Sequence, residues 1–181
     1  DPGDPAPGRS GVVEILDPST NTGIVVTEGD GAAGGADTAV ISSVELSTVL
    51  QTNDGNGGTL AVPPEETVYR ITSAPGNGTL LLSGTALGNY DTFTQADIDA
   101  GNLSFVHDGS ENHQDEFAFS VTGGTAAEFD GTFSLRAIPI NDTPSVATND
   151  LPLLPEGATT RVTTAFIGLG DVDTNDESGE G

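Results

Sequence analysis

The segment Phe93–Pro144 reads FTQADIDAGNLSFVHDGSENHQDEFAFSVTGGTAAEFDGTFSLRAIPINDTP, and its pattern decides the fold. The large apolar residues Phe117, Phe119 and Val121 alternate with the small or polar residues Glu116, Ala118 and Ser120. A period of two places alternate side chains on opposite faces of a β-strand, so one face of this strand is predicted to be buried. The polar loop His107–Gln114 precedes the strand, and a second apolar group after a Gly-Gly pair predicts one or two more strands. The segment therefore predicts strands joined by tight loops.

One helical turn is predicted at the start of this segment, and further strands are predicted before it. Thr94 is predicted to cap a helical turn within Phe93–Asp99. A strand is predicted across Val40–Leu46, with a single helical turn near Ser43–Leu50 left open. Turn-forming Gly and Pro residues bound the other predicted strands. These are Gly11–Leu16, which Asp17 and Pro18 are expected to end, Gly23–Thr27, Thr59–Val62, Val68–Ser73 and Thr79–Ser83.

The composition favours an all-β fold with a core of aliphatic residues and Phe. Apolar residues make up 34% of the 181 residues, and Cys, Met and Trp are absent. The 25 Gly and 11 Pro residues indicate many turns, as all-β domains require. We therefore predict a β-sandwich with, at most, short helical turns.

The charge excludes several classes of partner. The chain has 28 acidic residues against 4 basic ones, a net charge of −24. Nucleic acids and anionic membrane surfaces are bound by basic patches, so neither is a predicted partner. No apolar stretch approaches the roughly 20 residues of a membrane-spanning helix, so membrane insertion is not predicted. The acids either stay solvated or converge on cations, and hard, oxygen-rich sites suit Ca²⁺.

The motif FTQADIDAGNLSFVHDGSENHQDEFAFSV, followed by PIND at 139–142, resembles the chondroitin-sulfate-proteoglycan (CSPG) type of cadherin-like repeat. That family occurs in animal matrix proteins and in very large bacterial surface adhesins. The resemblance covers about residues 26–142 and is strongest from Tyr69 onward. It implies a cadherin-like, immunoglobulin-like β-sandwich and an extracellular or cell-surface location, which the composition suggests is bacterial.

Two short motifs recur with a period of about 120 residues, which indicates tandem repeats of that length. VTEG at 26–29 resembles LPEG at 154–157, and TND at 52–54 resembles TND at 174–176. Three parts are therefore predicted. Residues 1–25 are a linker or the end of a preceding element, 26–142 are one repeat, and 143–181 start a second, incomplete repeat that could act as a strand-exchange tail.

Calcium is the predicted cofactor, because the acidic composition and the resemblance both favour it. The resemblance implies that Asn141 and Asp142 bind Ca²⁺ at the junction with the next repeat. It also implies a role for the Glu of each EG pair, Glu28 and Glu156.

Two further groups of acids are candidate calcium ligands. Asp171, Asp173 and Asn175 form an Asp-x-Asp loop whose alternation places oxygen atoms on one side of a short turn. Asp108, Glu111 and Asp115 form the second group. Ca²⁺ takes six to eight oxygen ligands, which such clusters supply. The alternative is that these acids are solvated turn residues.

Enzymatic chemistry is not predicted. A zinc or hydrolytic site would need both His107 and His113 together with a carboxylate. The resemblance explains His107 as a family position at a strand–loop boundary, and His113 is predicted to be a solvated loop residue. No G-x-S-x-G elbow or triad context is present. Nine aromatic residues without Trp give little support for a carbohydrate-stacking platform.

The sequence therefore predicts an extracellular structural or adhesion module from a repeat-containing surface protein, stiffened by calcium. The alternative is a β-sandwich module of an adhesin that binds carbohydrate or peptide. Predicted partners are neighbouring repeats or other copies of the chain. The apolar segment Val162–Leu169 predicts that the tail docks on another copy by strand addition. Repeated head to tail, this contact gives a fibre.

Overall fold

A computed structural model of the chain describes residues 10–29, 34–35, 37–53, 58–123, 128–140, 145–150, 153–164 and 166–170. The chain divides into two compact units, residues 1–139 and residues 140–181. The first unit holds most of the secondary structure, and the second holds one pair of strands. Each unit is described by itself.

The first unit consists of twelve strands and one short helix in the part of the chain that the structure describes. In chain order they are β1 (Ser10–Asn21), β2 (Ile24–Thr27), β3 (Thr38–Val40), β4 (Leu46–Asn53), β5 (Thr59–Ala61), β6 (Thr67–Ser73), β7 (Gly78–Leu82), β8 (Thr85–Leu87), β9 (Thr92–Thr94), α1 (Gln95–Asp99), β10 (Leu103–His107), β11 (Gln114–Gly123) and β12 (Phe129–Ile138).

These strands form a β-sandwich, which confirms the predicted fold class. One layer is a five-stranded sheet in the order β2-β12-β11-β6-β9. A four-stranded sheet, β3-β10-β7-β8, and a three-stranded sheet, β1-β4-β5, supply the residues that pack on its inner face. Among the described strands, β2 and β12 form the only parallel pair.

The core is centred on five aromatic rings from the five-stranded sheet. Tyr69 stacks on Phe93 with ring centroids 5.0 Å apart, and Phe119 tilts against Tyr69 at 5.3 Å. Phe117 joins Phe119 to Phe133, whose ring lies 5.2 Å from it. Offset and tilted aromatic pairs add about 0.5–1.5 kcal/mol each beyond the apolar area that they bury. The alternation seen in the sequence therefore places every second residue of β11 and β12 in this core.

Local sequence patterns explain the helix and misplace two boundaries. Thr94 caps α1, and a reciprocal bond with Asp97 completes a capping box, so the predicted helical turn is confirmed. The predicted stop at Asp17 and Pro18 is wrong, because β1 continues to Asn21 with a register shift against β4. An irregular register lets an edge strand carry Pro without losing its pairing. Since β1 pairs with β4, residues 10–21 are part of this sheet.

The strand predicted across Val40–Leu46 is also wrong. β3 ends at Val40, and residues 43–45 form a turn before β4. Glu45 accepts hydrogen bonds from the Ser42 backbone at 2.9 Å and from the Ser42 hydroxyl at 2.6 Å. The Ser42 hydroxyl bond is the main reason that the pKa of Glu45 is lowered. This local side-chain bonding competes with strand pairing and stabilises the turn.

The second unit has little capacity to bury apolar surface in its described residues. β13 (Ser145–Asn149) and β14 (Ile167–Gly170) form a two-stranded antiparallel sheet. A two-stranded sheet alone is at best marginally stable in water. Several large apolar side chains of this unit are exposed: Val146, Leu153, Leu154, Val162 and Ile167. In the described parts of both units, no helix is long and apolar enough to cross a membrane.

A buried amide links α1 to the strands on either side. Gln95 is buried, and its Oε1 accepts hydrogen bonds from the Thr48 backbone N–H at 2.9 Å and the Tyr69 hydroxyl at 2.7 Å. Its Nε2 donates to Asp99 at 2.9 Å. Burial raises the pKa of Tyr69 to about 12, so this hydroxyl stays protonated and donates. Gln95 thus joins α1, β4 and β6 through one side chain.

We predict that Gln95→Ala lowers the free energy of unfolding by about 2–4 kcal/mol. The change leaves two donors without their acceptor, and each such buried group costs about 1–3 kcal/mol. Urea denaturation measures the loss. Tyr69→Phe, which removes one donor together with its bond, is the control and should cost only about 1 kcal/mol. A Gln95→Ala variant within about 0.5 kcal/mol of the unchanged chain would show that the amide does not join these elements.

Candidate metal centre at the exit end

One end of the sandwich collects several polar side chains. At this end β12 finishes at Ile138, β2 finishes at Thr27, and β10 finishes at His107. The loop of residues 108–113, which connects β10 to β11, lies at the same end because Gln114 pairs with Arg136 near the end of β12. We call this the exit end, since β12 leaves the first unit here.

Glu28 extends the buried face of β2 beyond the strand. Ile24 and Val26 point into the core, and the period of two carries Glu28 to the same side. Its backbone N–H donates to the Ile138 carbonyl at 2.8 Å, which continues the pairing of β2 with β12. The residue is only 3% exposed. A carboxylate is therefore held at the rim of the apolar core.

His107 organises the loop that follows it. The residue is buried, and its Nδ1 accepts a hydrogen bond from the Gly109 N–H at 3.2 Å. Its Nε2 therefore carries the proton and donates to the Asn112 carbonyl at 3.0 Å. These two bonds fold the loop over the ring. His107 is a structural residue at the strand–loop boundary, where the sequence placed it.

The loop and β2 bring three potential metal ligands together. Glu28, Glu111 and His113 each offer a ligand atom, and these atoms all lie within 4.8 Å of one another. His113 Nε2 lies 3.5 Å from Glu28 Oε2, and the His113 carbonyl accepts a hydrogen bond from the Ala137 N–H at 3.0 Å. The His113 side chain is 16% exposed. The prediction that His113 is a solvated loop residue is therefore wrong.

Asp37 lies at the same end and is fully buried, with 0% exposure. Its carbonyl accepts a hydrogen bond from the His107 N–H at 2.9 Å. Its side chain packs on Gly29, where an added Cβ would lie 2.4 Å from the Asp37 Cβ and 2.8 Å from its Cγ. Only a glycine fits beside Glu28, which is a physical reason for the EG pair. In the part of the chain that the structure describes, neither carboxylate oxygen of Asp37 has a hydrogen-bond partner.

Two of the predicted calcium ligands bind backbone instead. Asp108 accepts a hydrogen bond from the Ser110 N–H at 3.0 Å. Burial opposes ionisation of Asp108, but the bonds from Ser110 outweigh it and lower the pKa of this carboxyl group. Asp115 accepts from the Gly76 N–H at 3.1 Å and the Asn77 N–H at 2.7 Å, which holds the turn before β7.

The described residues do not bring Asp108, Glu111 and Asp115 together as one group of ligand atoms. Glu111 joins Glu28 and His113, and the other two carboxylates stabilise local turns. Glu156 is exposed in the second unit, in the turn before Ala158. Five further predicted ligands lie outside the described residues: Asn141, Asp142, Asp171, Asp173 and Asn175.

The described residues of the exit end do not fit a calcium site. Ca²⁺ takes six to eight oxygen ligands in proteins. The group found here offers two carboxylates and an imidazole nitrogen. Imidazole suits Zn²⁺ and similar transition-metal ions, whereas Ca²⁺ prefers oxygen donors. A calcium site that includes Glu28 would need ligands from outside the described residues.

Sequence reasoning missed Asp37 and misjudged His113. Asp37 follows a Gly/Ala-rich loop and has no neighbouring acid that would draw attention to it. The one available signal for His113 is its position next to the strand β11, which anchors the last loop residues. This signal does not show that Glu28 lies next to His113. Glu28 is distant in the sequence, and it reaches His113 only through the pairing of β2 with β12.

The β-sandwich matches a known protein family. Residues 37–137 match a protein family described as cadherin-like. The matched residues span β3 to β12, which include most of the buried core.

Three relatives are informative. The human extracellular matrix organizing protein FRAS1 is 31% identical over 163 residues, which is 88% of this chain and 4% of that protein. Extracellular matrix protein 3 of Lytechinus variegatus is 43% identical over 67 residues, 37% of this chain and 2% of that protein. Chondroitin sulfate proteoglycan 4 of Rattus norvegicus is 37% identical over 76 residues, 42% of this chain and 3% of that protein.

The chain thus spans only a few per cent of the length of these relatives. All three are animal proteins, so they lend no support to a bacterial source. The matched family covers more than half of the chain and coincides with the sandwich that the strands build. The chain belongs to the cadherin-like family.

Proposed function

We propose that this chain is an extracellular structural or adhesion module of a longer, repeat-containing protein. The observation that carries the proposal is the cadherin-like match at 37–137, on a chain whose relatives are named as extracellular matrix proteins. A module that is a few per cent of such a protein acts as one link of an array. Arrays of this kind bear load and set spacing, since each unit contacts mainly its neighbours.

We also propose that calcium stiffens the joint between this repeat and the next. The support is the net charge of −24, which opposes compaction until cations neutralise it, and the Asn141-Asp142 pair that the family resemblance places at the joint. The pair follows Ile138 by only a few residues. Ca²⁺ would there neutralise carboxylates and restrict the angle between repeats. Oxygen ligands from Asp171, Asp173 and Asn175 would add to such a site.

We predict that saturating Ca²⁺ raises the melting temperature of the full chain by several degrees. A ligand that binds only the folded state stabilises it in proportion to RT ln(1 + [L]/Kd), and about 1 kcal/mol shifts the midpoint by roughly 2–4 °C in a chain of this size. Differential scanning calorimetry with chelator or with millimolar calcium measures the effect.

The matched variants for this test are Asp142→Ala and Asp130→Ala. Asp130 is an exposed acid on β12, so its loss changes the net charge equally without touching the joint. Asp142→Ala should reduce the calcium shift more than Asp130→Ala does. Identical melts in chelator and in calcium would contradict the proposed role of calcium.

We further propose that copies of the chain associate through the second unit. The support is the exposed apolar surface of that unit, where Val162 and Ile167 are among the exposed side chains. A two-stranded sheet has unpaired edges to which a strand of another copy can add. The contact joins two different surfaces, and its repetition gives an open fibre when the rotation between copies does not close a ring.

We predict that deletion of residues 145–181 converts an assembling chain into a folded monomer. The deletion removes β13 and β14 together with their exposed apolar residues, and it leaves the sandwich core in place. Analytical ultracentrifugation at several concentrations, with calcium present, compares the two chains. A full-length chain that stays monomeric at high concentration contradicts fibre assembly and leaves the isolated module.

A further inference from the structure

We propose that Glu28, Glu111 and His113 at the exit end bind one divalent transition-metal ion of the zinc class. This site is distinct from the calcium site proposed at the joint, and it uses residues of the first unit alone. Its ligands come from the end of β2 and from the loop between β10 and β11.

The first argument is the geometry of the three ligand atoms. Zinc lies about 2.0–2.2 Å from nitrogen and oxygen ligands, so tetrahedral ligands are separated by about 3.4 Å. The pair formed by Glu28 Oε2 and His113 Nε2 has a separation of 3.5 Å. The third ligand atom, from Glu111, lies within 4.8 Å of both. The atoms therefore need only small side-chain movements to bind one ion.

The second argument is the chemistry of the donors. Imidazole nitrogen and carboxylate oxygen are both zinc ligands, and three protein ligands leave one position of a tetrahedral site open. From the sequence, both histidines were expected in such a site, but His107 is used by its own loop and Glu28 supplies the third ligand atom instead. A site of oxygen donors alone would favour Ca²⁺ or Mg²⁺, whereas the nitrogen of His113 favours a transition-metal ion. The ion would also offset the negative charge that the fold collects at this end of a strongly acidic chain.

The third argument is independent of the cluster and comes from Asp37. A buried carboxylate without a hydrogen-bond partner is costly, and a bound cation removes much of that cost. Asp37 is fully buried, and in the described part of the chain both of its oxygens lack hydrogen-bond partners. Its side chain packs on Gly29, the residue next to Glu28. Asp37 therefore places a second buried carboxyl group close to the residue that follows Glu28, where a bound cation would be favourable.

The loop that carries Glu111 and His113 is held in place without a metal. His107 bonds to Gly109 and Asn112, and the His113 carbonyl binds the Ala137 N–H. Glu28 is fixed by its backbone bond to Ile138. A site held this way loses little conformational freedom when an ion binds, which favours affinity.

The experiment is isothermal titration of the metal-stripped full chain with zinc chloride, in a buffer that contains saturating calcium. Calcium occupies the weak oxygen sites that the 28 acidic residues create. The heat measured on adding zinc therefore reports binding at a site with a nitrogen ligand. We expect saturable binding of one zinc ion per chain. Both His113→Gln and Glu111→Gln should weaken zinc binding by at least about tenfold, since each removes a ligand.

Glu65→Gln is the matched control. Glu65 is an exposed acid in the turn before β6. It lies at the opposite end of the sandwich, because Thr67 pairs with Gly123 whereas Gln114 pairs with Arg136. The control loses the same charge as Glu111→Gln and should bind zinc as the unchanged chain does. Circular dichroism of each variant confirms that it is folded before titration.

Cobalt gives a readout that a merely structural role would not change. Co²⁺ bound through an imidazole absorbs visible light, and the absorption should be lost in His113→Gln and retained in Glu65→Gln. Absence of saturable zinc binding overturns the proposal. Zinc affinity within about threefold of the unchanged chain in either ligand variant also overturns it. A calcium effect that depends on Asp142 is a separate result, so the two proposals fail independently.

Discussion

The parallel pairing of β2 with β12 is the contact on which the exit end depends. It places Thr27 beside Ile138, so that Glu28 is the first residue beyond the pairing. The other contacts at the exit end depend on this position of Glu28. Glu28 meets the loop of residues 108–113 on one side, and Gly29 leaves room for Asp37 on the other. A short strand of four residues therefore delivers a buried carboxylate to the point where the chain leaves the sandwich.

Polar side chains that are buried or half-buried do much of the positioning in this small fold. Gln95 joins the helix to two strands, His107 folds the loop after β10, and Asp115 holds the turn before β7. Each of them satisfies backbone or side-chain donors that would otherwise be left without partners, which makes them costly to replace. The aromatic core supplies most of the favourable burial, and these polar contacts determine how the loops are arranged on it.

Electrostatics connect the fold to the proposed function. A chain with 28 acidic and 4 basic residues repels itself, and the repulsion is strongest where carboxylates are buried together. The described ion pairs are few, and one of them joins His113 to Glu28 at the exit end. Bound cations would reduce this repulsion. Binding them near the proposed joint between repeats would couple metal occupancy to the stiffness of the proposed array.

The sequence alone determined the fold class, the family and most of the strands, because these depend on neighbouring residues. Alternation from Phe117 to Val121 fixes which side chains face the core, and the capping residues at Thr94 and Asp97 define α1. Local patterns failed at Pro18 and across Val40–Leu46, where pairing with a distant strand or a side-chain bond outweighed propensity. Only the tertiary structure could bring Glu28, Asp37 and His113 to one end. His113 is far from Glu28 and Asp37 in the chain, and their proximity depends on strand pairing and register, which no short stretch of sequence encodes.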